Sequence, residues 1–424
     1  MTKQIGGERW ELFKEDVKMI AIERCSVRTH HKKIKENDLR RKLDMLIAEK
    51  GKKPGEFAKE IRDVKSQLEI IDAEKYRGAI VRARSEKYLM GENPTKRSLS
   101  DEKRYAKRNE IKEISYGATL TRDKNVIKKA FVEHYRNLLG NSTPLDTGYK
   151  TCFLSSMPQL DQQACESLEV PISIGEIEKA IDELSPGKTP GPDGLGAVFY
   201  KTFKTEAAAA LHKVLAEAYE FHLLPPSFLR AHTVLIPKSE DPVKLLSVSA
   251  YRPISLTNVD YKVFMKVLAR RLQSVIQCLV GPHQTCGIKG RTIATNIHVA
   301  RSVLECCDAF SGRVAMLQLD LEKAFDRVSH EVLFSVLEHA NVGSVIREGV
   351  KMAYTNCTTS LIVNKGVTEG IKVRTSVRQG CPLSPLLFAL YLEPFCLKLI
   401  HNSNIRGYKL QSSEVKVLSY ADDV

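Results

Sequence analysis

The chain has 424 residues, of which 43% are hydrophobic, and this is enough for a large core and two to three domains. The net charge of +14 indicates a polyanionic partner, because Lys and Arg neutralise phosphates and release their counterions. The sequence contains no run of about 18 apolar residues, which excludes a membrane-spanning helix.

Secretion is not expected either. The N-terminal sequence MTKQIGGERWELFKED is charged throughout, so we expect no signal peptide. The ten cysteines form no C-x-x-C pair, and no histidine cluster completes a zinc pattern. We therefore expect reduced, mostly buried thiols in an intracellular protein.

The positive charge is concentrated in the N-terminal part of the chain. Residues 1–150 hold 36 Lys and Arg against 24 Asp and Glu, whereas residues 151–424 hold 29 against 27. We expect the first part to be a basic helical extension and the second to be an ordinary globular body.

Within the N-terminal part, residues 11–50 and 56–90 are predicted to form two charged helices, with a break rich in Gly, Lys and Pro between them. Apolar residues of the second helix follow at spacings of 4, 3, 4 and 3, which makes a seam of about two heptads. The seam consists of Phe57, Ile61, Val64, Leu68 and Ile71. Two interpretations remain open: a helical hairpin with solvated charged faces, or a basic arm that grips nucleic acid.

The body begins with a short acidic helix at 171–184 and a loop rich in Pro and Gly at 185–194. An Ala-rich helix at 205–224, a strand at 233–236 and a helix at 258–280 are predicted next. The last of these has an apolar stripe of Phe264, Leu268, Leu272, Val275 and Leu279. On another face of that helix, Lys262, Lys266 and Arg270 recur every four residues, either as solvated surface or as a row of phosphate contacts.

The second half of the body alternates helices and strands. A helix at 294–310 precedes a largely apolar strand at 313–320, which is typical of a central strand. Ser329 can cap the next helix. A hairpin at 351–375, an apolar helix at 383–400 and a strand at 414–420 complete the prediction.

Acidic residues stand at the ends of two of these strands. Asp320 ends the first, and Asp422 and Asp423 follow the second. Carboxylates brought together there would repel one another unless divalent cations lay between them, and hard oxygen ligands suit Mg²⁺. Two such ions about 4 Å apart can clamp the attacking and leaving oxygens of an in-line displacement. Adjacent strand residues point to opposite faces, so Asp422 and Asp423 can serve one site only in a tight turn.

Three segments occur in an order that carries a resemblance. They are QLDLEKAFD at 318–326, RQGCPLSPLLF at 378–388 and YADD at 420–423. They resemble motifs A, B and C of the reverse transcriptases of LINE-type (non-LTR) retrotransposons. PGPDG at 190–194, VLIPK at 234–238 and YRPISL at 251–256 are similar to the finger motifs of the same family. The resemblance covers residues 180–424, and residues 1–150 resemble more loosely the segment that precedes the polymerase in such proteins.

The resemblance implies a role for each matching residue at the metal site. Asp320 and Asp422 would bridge two Mg²⁺ ions, with Mn²⁺ as the alternative ion, and Asp423 would support them. Leu321 would offer its backbone carbonyl to the ion on the nucleotide side. Lys323 and Ala324 would donate backbone N–H groups to the triphosphate.

The resemblance also implies the rest of a nucleotide site. Phe325 would lie under the incoming sugar as a steric gate that excludes a 2′-hydroxyl. Arg252 and Lys238 would bind the triphosphate, Arg252 through forked contacts. Gln379 and Gly380 would begin the motif B loop, where Gly allows close approach to the template and nucleotide.

We therefore expect an α+β fold: the fingers and palm of a right-hand polymerase, with an antiparallel palm sheet backed by helices, over residues 151–424. Expected partners are an RNA template, a DNA primer and deoxynucleoside triphosphates, in an intracellular ribonucleoprotein of nucleus and cytoplasm. The oligomeric state is not predicted. Because the sequence ends at Val424, inside the catalytic hairpin and without a thumb, we expect no useful polymerase activity from these residues alone.

Three rival interpretations stay open. An RNA-dependent RNA polymerase also has paired aspartates, but Phe325 argues against it. A second rival is a non-catalytic RNA-binding remnant that keeps the palm as a scaffold. The third is an intron-type reverse transcriptase with RNA-splicing activity.

Overall fold

The computed structural model describes residues 5–50, 57–83, 110–117, 119–141, 146–309, 314–410 and 413–424. Its contacts divide the chain into two compact units. One unit is Asp16–Lys112, and the other combines Met1–Glu15 with Glu113–Val424. In this division the boundary lies between Lys112 and Glu113, whereas the sequence predicted one at residue 150.

Two long helices supply the first unit: α1 (Ile5–Lys50), which begins before it, and α2 (Ala58–Ala83). Buried residues of both helices make its core, with further apolar side chains packed against them. The buried set is Leu46, Ile61, Val64 and Leu68, and Leu39, Leu43 and Phe57 surround it. The predicted seam is thus the contact face of a helical hairpin. Contact with nucleic acid by this hairpin stays a prediction.

The first turns of α1 belong to the larger unit, which combines Met1–Glu15 with Glu113–Val424. The backbone N–H groups of Gly6 and Gly7 donate to the Glu217 carboxylate at 3.0 and 2.8 Å. Trp10 is 4% exposed, and its indole N–H donates to Asp260 Oδ2 at 2.9 Å. Sequence reasoning assigned these residues to the extension.

Residues 113–150 also pack on this unit. A small hairpin of β1 (Ile114–Tyr116) and β2 (Thr119–Thr121) leads into helix α3 (Lys124–Gly140). The side chain of Asp123 caps α3 by accepting from the N–H groups of Asn125 and Val126. The buried face of α3 carries Ile127, Phe131 and Tyr135, among others, and the ring of Phe131 meets that of Tyr251 edge-on at 5.3 Å.

A four-stranded sheet in the order β4-β3-β5-β6 forms the centre of the unit. Its strands are β3 (Arg230–Pro237), β4 (Tyr251–Thr257), β5 (Thr358–Val363) and β6 (Gly366–Lys372). The pairs β3–β4 and β5–β6 are antiparallel, but β3 and β5 run parallel. The α+β fold is confirmed, and this sheet is mixed. The expected antiparallel palm sheet is reduced to an isolated antiparallel bridge between Asp320 and Asp423, which lies outside the four strands. A separate hairpin pairs β7 (Tyr408–Leu410) with β8 (Ser413–Val415).

Helices surround this sheet, and most lie where the sequence predicted them. The apolar stripe of the helix Val259–Leu279 is buried along its length, and Ser329 caps the helix His330–His339. The helices in chain order are α4 (Thr147–Leu154), α5 (Gln162–Glu169), α6 (Ile174–Asp182), α7 (Ala197–Thr202), α8 (Lys204–Phe221), α9 (Pro226–Leu229), α10 (Val259–Leu279), α11 (Ile293–Ala309), α12 (His330–His339), α13 (Ser344–Tyr354) and α14 (Ser384–Ile400). Helix α13 was missed, because the hairpin was predicted to begin at residue 351.

The predicted strand at 313–320 is wrong for the described residues from 314 onward. The structure assigns them to no strand, and within the described part of the chain their backbone pairing is limited to Leu319 with Val424 and to an isolated bridge at Asp320. Met316 and Leu317 are consequently 71% and 77% exposed. The predicted strand at 414–420 is likewise reduced to β8 and single bridges at Ser419 and Tyr420.

All ten cysteines are free thiols, but only four are buried, so the expectation of mostly buried thiols is corrected. The buried ones are Cys307, Cys357, Cys381 and Cys396. Among the described helices, none combines the length and the apolar character needed to cross a membrane.

Candidate active site

Asp320 and Asp423 lie opposite each other in an antiparallel bridge. On one side of them, Leu319 and Val424 exchange backbone hydrogen bonds of 2.7 and 3.2 Å. A position next to such a pair is of the non-hydrogen-bonded kind, whose Cα atoms are about 4.5 Å apart and whose side chains leave the same face. The structure therefore brings together two of the three predicted carboxylates, although 103 sequence positions separate them.

The third carboxylate lies in the turn that leads to this bridge. Tyr420 and Asp423 exchange hydrogen bonds of 2.8 and 3.2 Å across Ala421 and Asp422. Ala421 has a φ of 54°, in the left-handed region, which makes the turn tight. The expected tight turn at the paired aspartates is thus present, and its register sets Asp423, rather than Asp422, directly across from Asp320.

The three side chains supply hard oxygen donors. Within the described residues, none of the three forms an ion pair or accepts a side-chain hydrogen bond. No group of three His, Cys, Asp or Glu residues close enough to hold a metal occurs in that part of the chain. The carboxylate oxygens and the bridge between Asp320 and Asp423 suit a divalent cation. In the described residues, however, the three carboxylates are not yet close enough to count as a three-ligand metal site.

The backbone after Asp320 turns back at once. Lys323 adopts a left-handed φ of 53°, and the N–H of Ala324 donates to the carbonyl of Leu321 at 3.1 Å. The N–H of Ala324 is therefore engaged within its own turn, and its contact with a phosphate stays a prediction. The Leu321 carbonyl keeps a second lone pair for an ion.

Three basic side chains from distant parts of the chain face one another beside this turn. Lys323 Nζ lies 3.3 Å from His134 Nε2 on α3, and the charge of Lys238 acts on both. Burial, then Lys323 and Lys238, lower the pKa of His134, and burial also lowers the pKa of Lys323. Such a concentration of positive charge favours an anionic ligand.

Buried Asp326 adjoins the same cluster. Burial raises its pKa to about 6, against the opposing effect of Lys323 and Lys238. The amide of Gln379 donates to Asp326 Oδ1 at 3.4 Å. Motifs A and B are thus linked through this carboxyl group.

Phe325 carries the predicted steric gate. Its half-buried ring is stacked on Phe388 of α14 with centroids 4.5 Å apart and an angle of 13° between the planes. Its carbonyl accepts from the N–H of Val377 at 2.9 Å. The Phe325 ring is thus held by its stacking on Phe388, and the Phe325 backbone is held by its hydrogen bond from Val377.

The motif B loop approaches β4 closely. The carbonyl of Gln379 accepts from the N–H of Ser255 at 3.1 Å, and Gly380 has a φ of 102°. A Cβ at Gly380 would lie 3.3 Å from the Ser255 carbonyl oxygen, so glycine suits both the conformation and the contact. Buried Arg378, whose guanidinium lies 4.7 Å from the ring centroid of Tyr261, anchors the start of the loop.

The remaining predicted contacts are basic. Arg252 and Lys238 are exposed at the same end of the β3–β4 pair, where Ile236 pairs with Arg252. On α10, both Lys266 and Arg270 form ion pairs with Glu183, at 3.0 and 3.2 Å. The row with Lys262 is therefore partly neutralised, and its contact with nucleic acid stays a prediction.

Sequence reasoning missed the support of the aspartate turn. The side chain of Gln284, in the loop after α10, accepts from the N–H of Ala421 at 3.0 Å. His134 was also missed. Neither residue belongs to a periodic or motif pattern, so no sequence signal pointed to them.

Comparison with known proteins finds similarity to reverse transcriptases. The family described as reverse transcriptase (RNA-dependent DNA polymerase) matches residues 236–424. A Xenopus laevis relative, the transposon TX1 uncharacterized 149 kDa protein, is 31% identical over 85% of this chain and 27% of its own length. The retrovirus-related Pol polyprotein from type-1 retrotransposable element R2 of Nasonia vitripennis is 26% identical over 62% of this chain and 24% of its own length.

A third relative is the probable RNA-directed DNA polymerase from transposon BS of Drosophila melanogaster, 25% identical over 62% of this chain and 29% of its own length. The chain thus spans about a quarter of the length of these curated relatives. Residues 236–424 match the reverse transcriptase family, and most of the chain is similar to proteins of transposable elements, which supports the resemblance to LINE-type (non-LTR) retrotransposons noted in the sequence.

Proposed function

We propose that this chain carries the catalytic centre of an RNA-directed DNA polymerase. A primer 3′-hydroxyl would attack the α-phosphate of a deoxynucleoside triphosphate, a P–O bond would form, and pyrophosphate would leave. The template would be RNA, and the primer would be the end of a nicked genomic DNA. The observation that supports this most directly is the position of Asp320 opposite Asp423 beside the tight turn.

Reverse transcriptases of this family use divalent metal ions. Here Asp320, Asp422 and Asp423 would hold two Mg²⁺ or Mn²⁺ ions, with the Leu321 carbonyl as a further oxygen donor. Bound ions of this kind neutralise the triphosphate charge and favour the ionised primer hydroxyl. The carboxylates contribute by fixing the position of that charge.

The nucleotide would lie between the basic cluster and the motif B loop. Lys238, Lys323 and Arg252 would face the triphosphate, and the protein would offer fixed charges that need no rearrangement during the reaction. Phe325 would lie under the sugar, held by its stacking on Phe388. Gln379 would approach the sugar, and Gly380 would let the template come close to the backbone.

Affinity cleavage tests the metal site without requiring turnover. Fe²⁺ takes oxygen ligands and can replace Mg²⁺, and with ascorbate and peroxide it cuts the backbone next to its site. We expect cleavage near residue 320 and near residue 422, competed by Mg²⁺. The variant Asp320→Asn with Asp422→Asn should lose both cuts.

A matched control is Glu322→Gln, which removes an exposed carboxylate two residues from Asp320 that is paired with Arg327 at 3.2 Å. This variant should be cleaved at the same positions as the unaltered protein. Cleavage elsewhere, or cleavage that persists without both aspartates, would overturn the proposed site.

Primer extension on an RNA template tests the reaction itself, with this chain and with any longer protein that contains it. Extension should require the three aspartates. If RNA binding survives their loss and no such protein extends a primer, the non-catalytic RNA-binding remnant becomes the better assignment.

We also propose that the chain acts in an intracellular ribonucleoprotein of nucleus and cytoplasm. The basic composition and ten unpaired thiols support this. Fractionation of cells that express a tagged chain tests it, and recovery from the medium with formed disulfides would contradict it.

A further inference from the structure

The turn that carries Asp422 and Asp423 is held by one buried amide. Gln284 is 1% exposed, and its Nε2 donates to Ser419 Oγ at 2.7 Å and to the Ala421 carbonyl at 3.4 Å. Its Oε1 accepts from the N–H of Ala421 at 3.0 Å. Both ends of the amide therefore contact the residue immediately before Asp422.

The same Oε1 also fixes the loop to which Gln284 belongs. It accepts from the N–H of Cys286 at 3.0 Å. Backbone bonds join the loop to the chain before the turn: Thr285 N–H donates to the Ser419 carbonyl at 3.1 Å, and Ser419 N–H donates to the His283 carbonyl at 2.8 Å. Loop and turn form a single hydrogen-bonded assembly.

This loop is in turn anchored to the rest of the palm. Glu393 of α14 is 1% exposed and accepts from the N–H of Gly281 at 3.0 Å, with His283 Nε2 at 3.1 Å from its other oxygen. The Arg291 guanidinium donates to the Val280 and Gln284 carbonyls, both at 2.9 Å. These hydrogen bonds fix the loop that carries Gln284, so the Gln284 amide can in turn restrain the backbone of the turn.

We propose that Gln284 is a positioning residue that sets the ligand geometry of Asp422 and Asp423 by clamping the backbone of Ala421. This rests on the proposed function, in which those carboxylates hold the divalent ions. Only an amide meets the requirement, since the site needs an acceptor for two N–H groups and a donor for a hydroxyl and a carbonyl. A carboxylate would lack the donor and would add negative charge beside the turn.

Three variants separate this role from simple structural support. Gln284→Met keeps the length of the side chain but removes all four hydrogen bonds. Gln284→Glu keeps the acceptor alone. The matched control is Gln277→Met, because exposed Gln277 donates to the Lys289 carbonyl, in the same loop, at 2.9 Å without contacting the turn.

Two measurements on the whole chain, made well below its unfolding temperature, test whether Gln284 positions the turn: the affinity for Mn²⁺ and the hydrogen-exchange rates of the turn amides. Mn²⁺ binding, followed by electron paramagnetic resonance, should weaken about tenfold or more in Gln284→Met, as losses of groups that orient metal ligands generally do. Hydrogen exchange of the 420–424 amides, measured without metal, should speed up in the same variant. Gln277→Met should change neither.

The outcomes are distinguishable. Unchanged Mn²⁺ affinity in a folded Gln284→Met protein, or unchanged exchange at the turn, overturns the proposal. If Gln284→Met does not fold, the same criteria apply to Gln284→Glu. If the unaltered chain binds no Mn²⁺, the polymerase assignment fails instead, and the exchange rates alone then decide whether Gln284 clamps the turn.

Discussion

The ring of Phe325 lies flat against Phe388, and this stacking favours the observed orientation of the ring. Stacked rings contribute about 0.5–1.5 kcal/mol beyond their buried area, which is enough to favour one position of the side chain. If Phe325 is the steric gate, the gate would be a pair of stacked rings rather than a single residue.

Phe325→Ala should admit ribonucleotides. Opening space for one small group is worth about 1–3 kcal/mol in discrimination, so the kcat/KM for a ribonucleotide relative to its deoxy counterpart should rise about 10–100-fold. Single-nucleotide extension measures this, in the chain or in a longer protein that contains it. Phe388→Leu, which loosens the ring but leaves it present, should give a smaller rise. An unchanged ratio in Phe325→Ala would remove the gate assignment.

His134 should make nucleotide binding depend on pH. Its pKa is lowered by burial and by Lys323 and Lys238, so the ring is neutral at pH 7. A bound triphosphate would oppose the two lysine charges and raise that pKa, which means that binding takes up a proton. Affinity should therefore increase as the pH falls through the region below about 6.5.

Titration with a fluorescent deoxynucleotide between pH 7.5 and 5.5 measures the effect. Because the nucleotide itself also titrates, the comparison is with His134→Gln, in which the extra gain at low pH should vanish. Equal pH profiles for the two proteins would show that His134 does not face the phosphates.

Residue types and spacing predicted the three aspartates, because carboxylates at the ends of apolar segments are chemically unusual. They did not predict Gln284 or His134. These residues act through contacts made across 137 and 189 sequence positions, and a single glutamine or histidine in a loop or on a helix has no pattern of its own. The use of the Ala324 N–H inside its own turn was equally invisible, since it depends on the left-handed conformation of Lys323.

At the scale of elements, the first three turns of α1 are part of the larger unit, Met1–Glu15 with Glu113–Val424. Lys14 is 3% exposed and donates to Asp260 Oδ2 at 2.8 Å, and Asp193 of the predicted finger loop lies 3.8 Å away. Burial raises the pKa of Asp193 to about 6, assisted by Asp260 and opposed by Lys14. Two buried acids thus depend on one lysine from the N-terminal helix.

Lys14→Met should lower the free energy of unfolding of this unit by about 3–5 kcal/mol, because it leaves a buried charge without its partner. Urea unfolding followed by the fluorescence of Trp10, the one tryptophan in the sequence, measures the loss. The control Lys18→Met lies one turn further on, where the side chain is exposed, and should change stability by less than about 0.5 kcal/mol. Adding Asp260→Asn to Lys14→Met should restore part of the lost free energy of unfolding. Equal losses for Lys14→Met and Lys18→Met would contradict a stabilising role of the buried Lys14 charge.

Helices were easier to predict than strands for a physical reason. The stripe on α10 repeats over five turns and faces one core, whereas a strand needs a partner that the sequence does not specify. Residues 314–318 have a strand composition but no described neighbour to pair with. Helix α13, which overlaps the start of the predicted hairpin, contains Gly349, a poor helix former that is required there because a Cβ would lie 2.6 Å from the Tyr219 hydroxyl.

For the whole molecule, the net positive charge is concentrated in one of the two units. Residues 16–112 hold 27 Lys and Arg against 17 Asp and Glu, which is most of the net charge of the chain. If this unit grips RNA, the affinity should fall steeply with salt.

Replacing four exposed cations of α1 with Gln tests that idea. The four are Lys33, Lys35, Arg41 and Lys42. If each contacts a phosphate, the slope of log K against log salt for single-stranded RNA should become shallower by about 3, at about 0.7 per contact. The control replaces Lys266 and Arg270, whose two positive charges Glu183 partly neutralises, and should change the slope less. An unchanged slope in the fourfold variant would leave the hairpin as a purely structural element.

The docking of the first turns of α1 has a consequence for synthesis. Trp10 and its acceptor Asp260 are 250 positions apart. At translation rates of about 5–20 residues per second, the amino terminus leaves the ribosome about 12–50 s before its binding surface exists. During that interval the indole and the Lys14 ammonium have no native partner, so a nascent chain should expose this helix to chaperones until the fingers emerge.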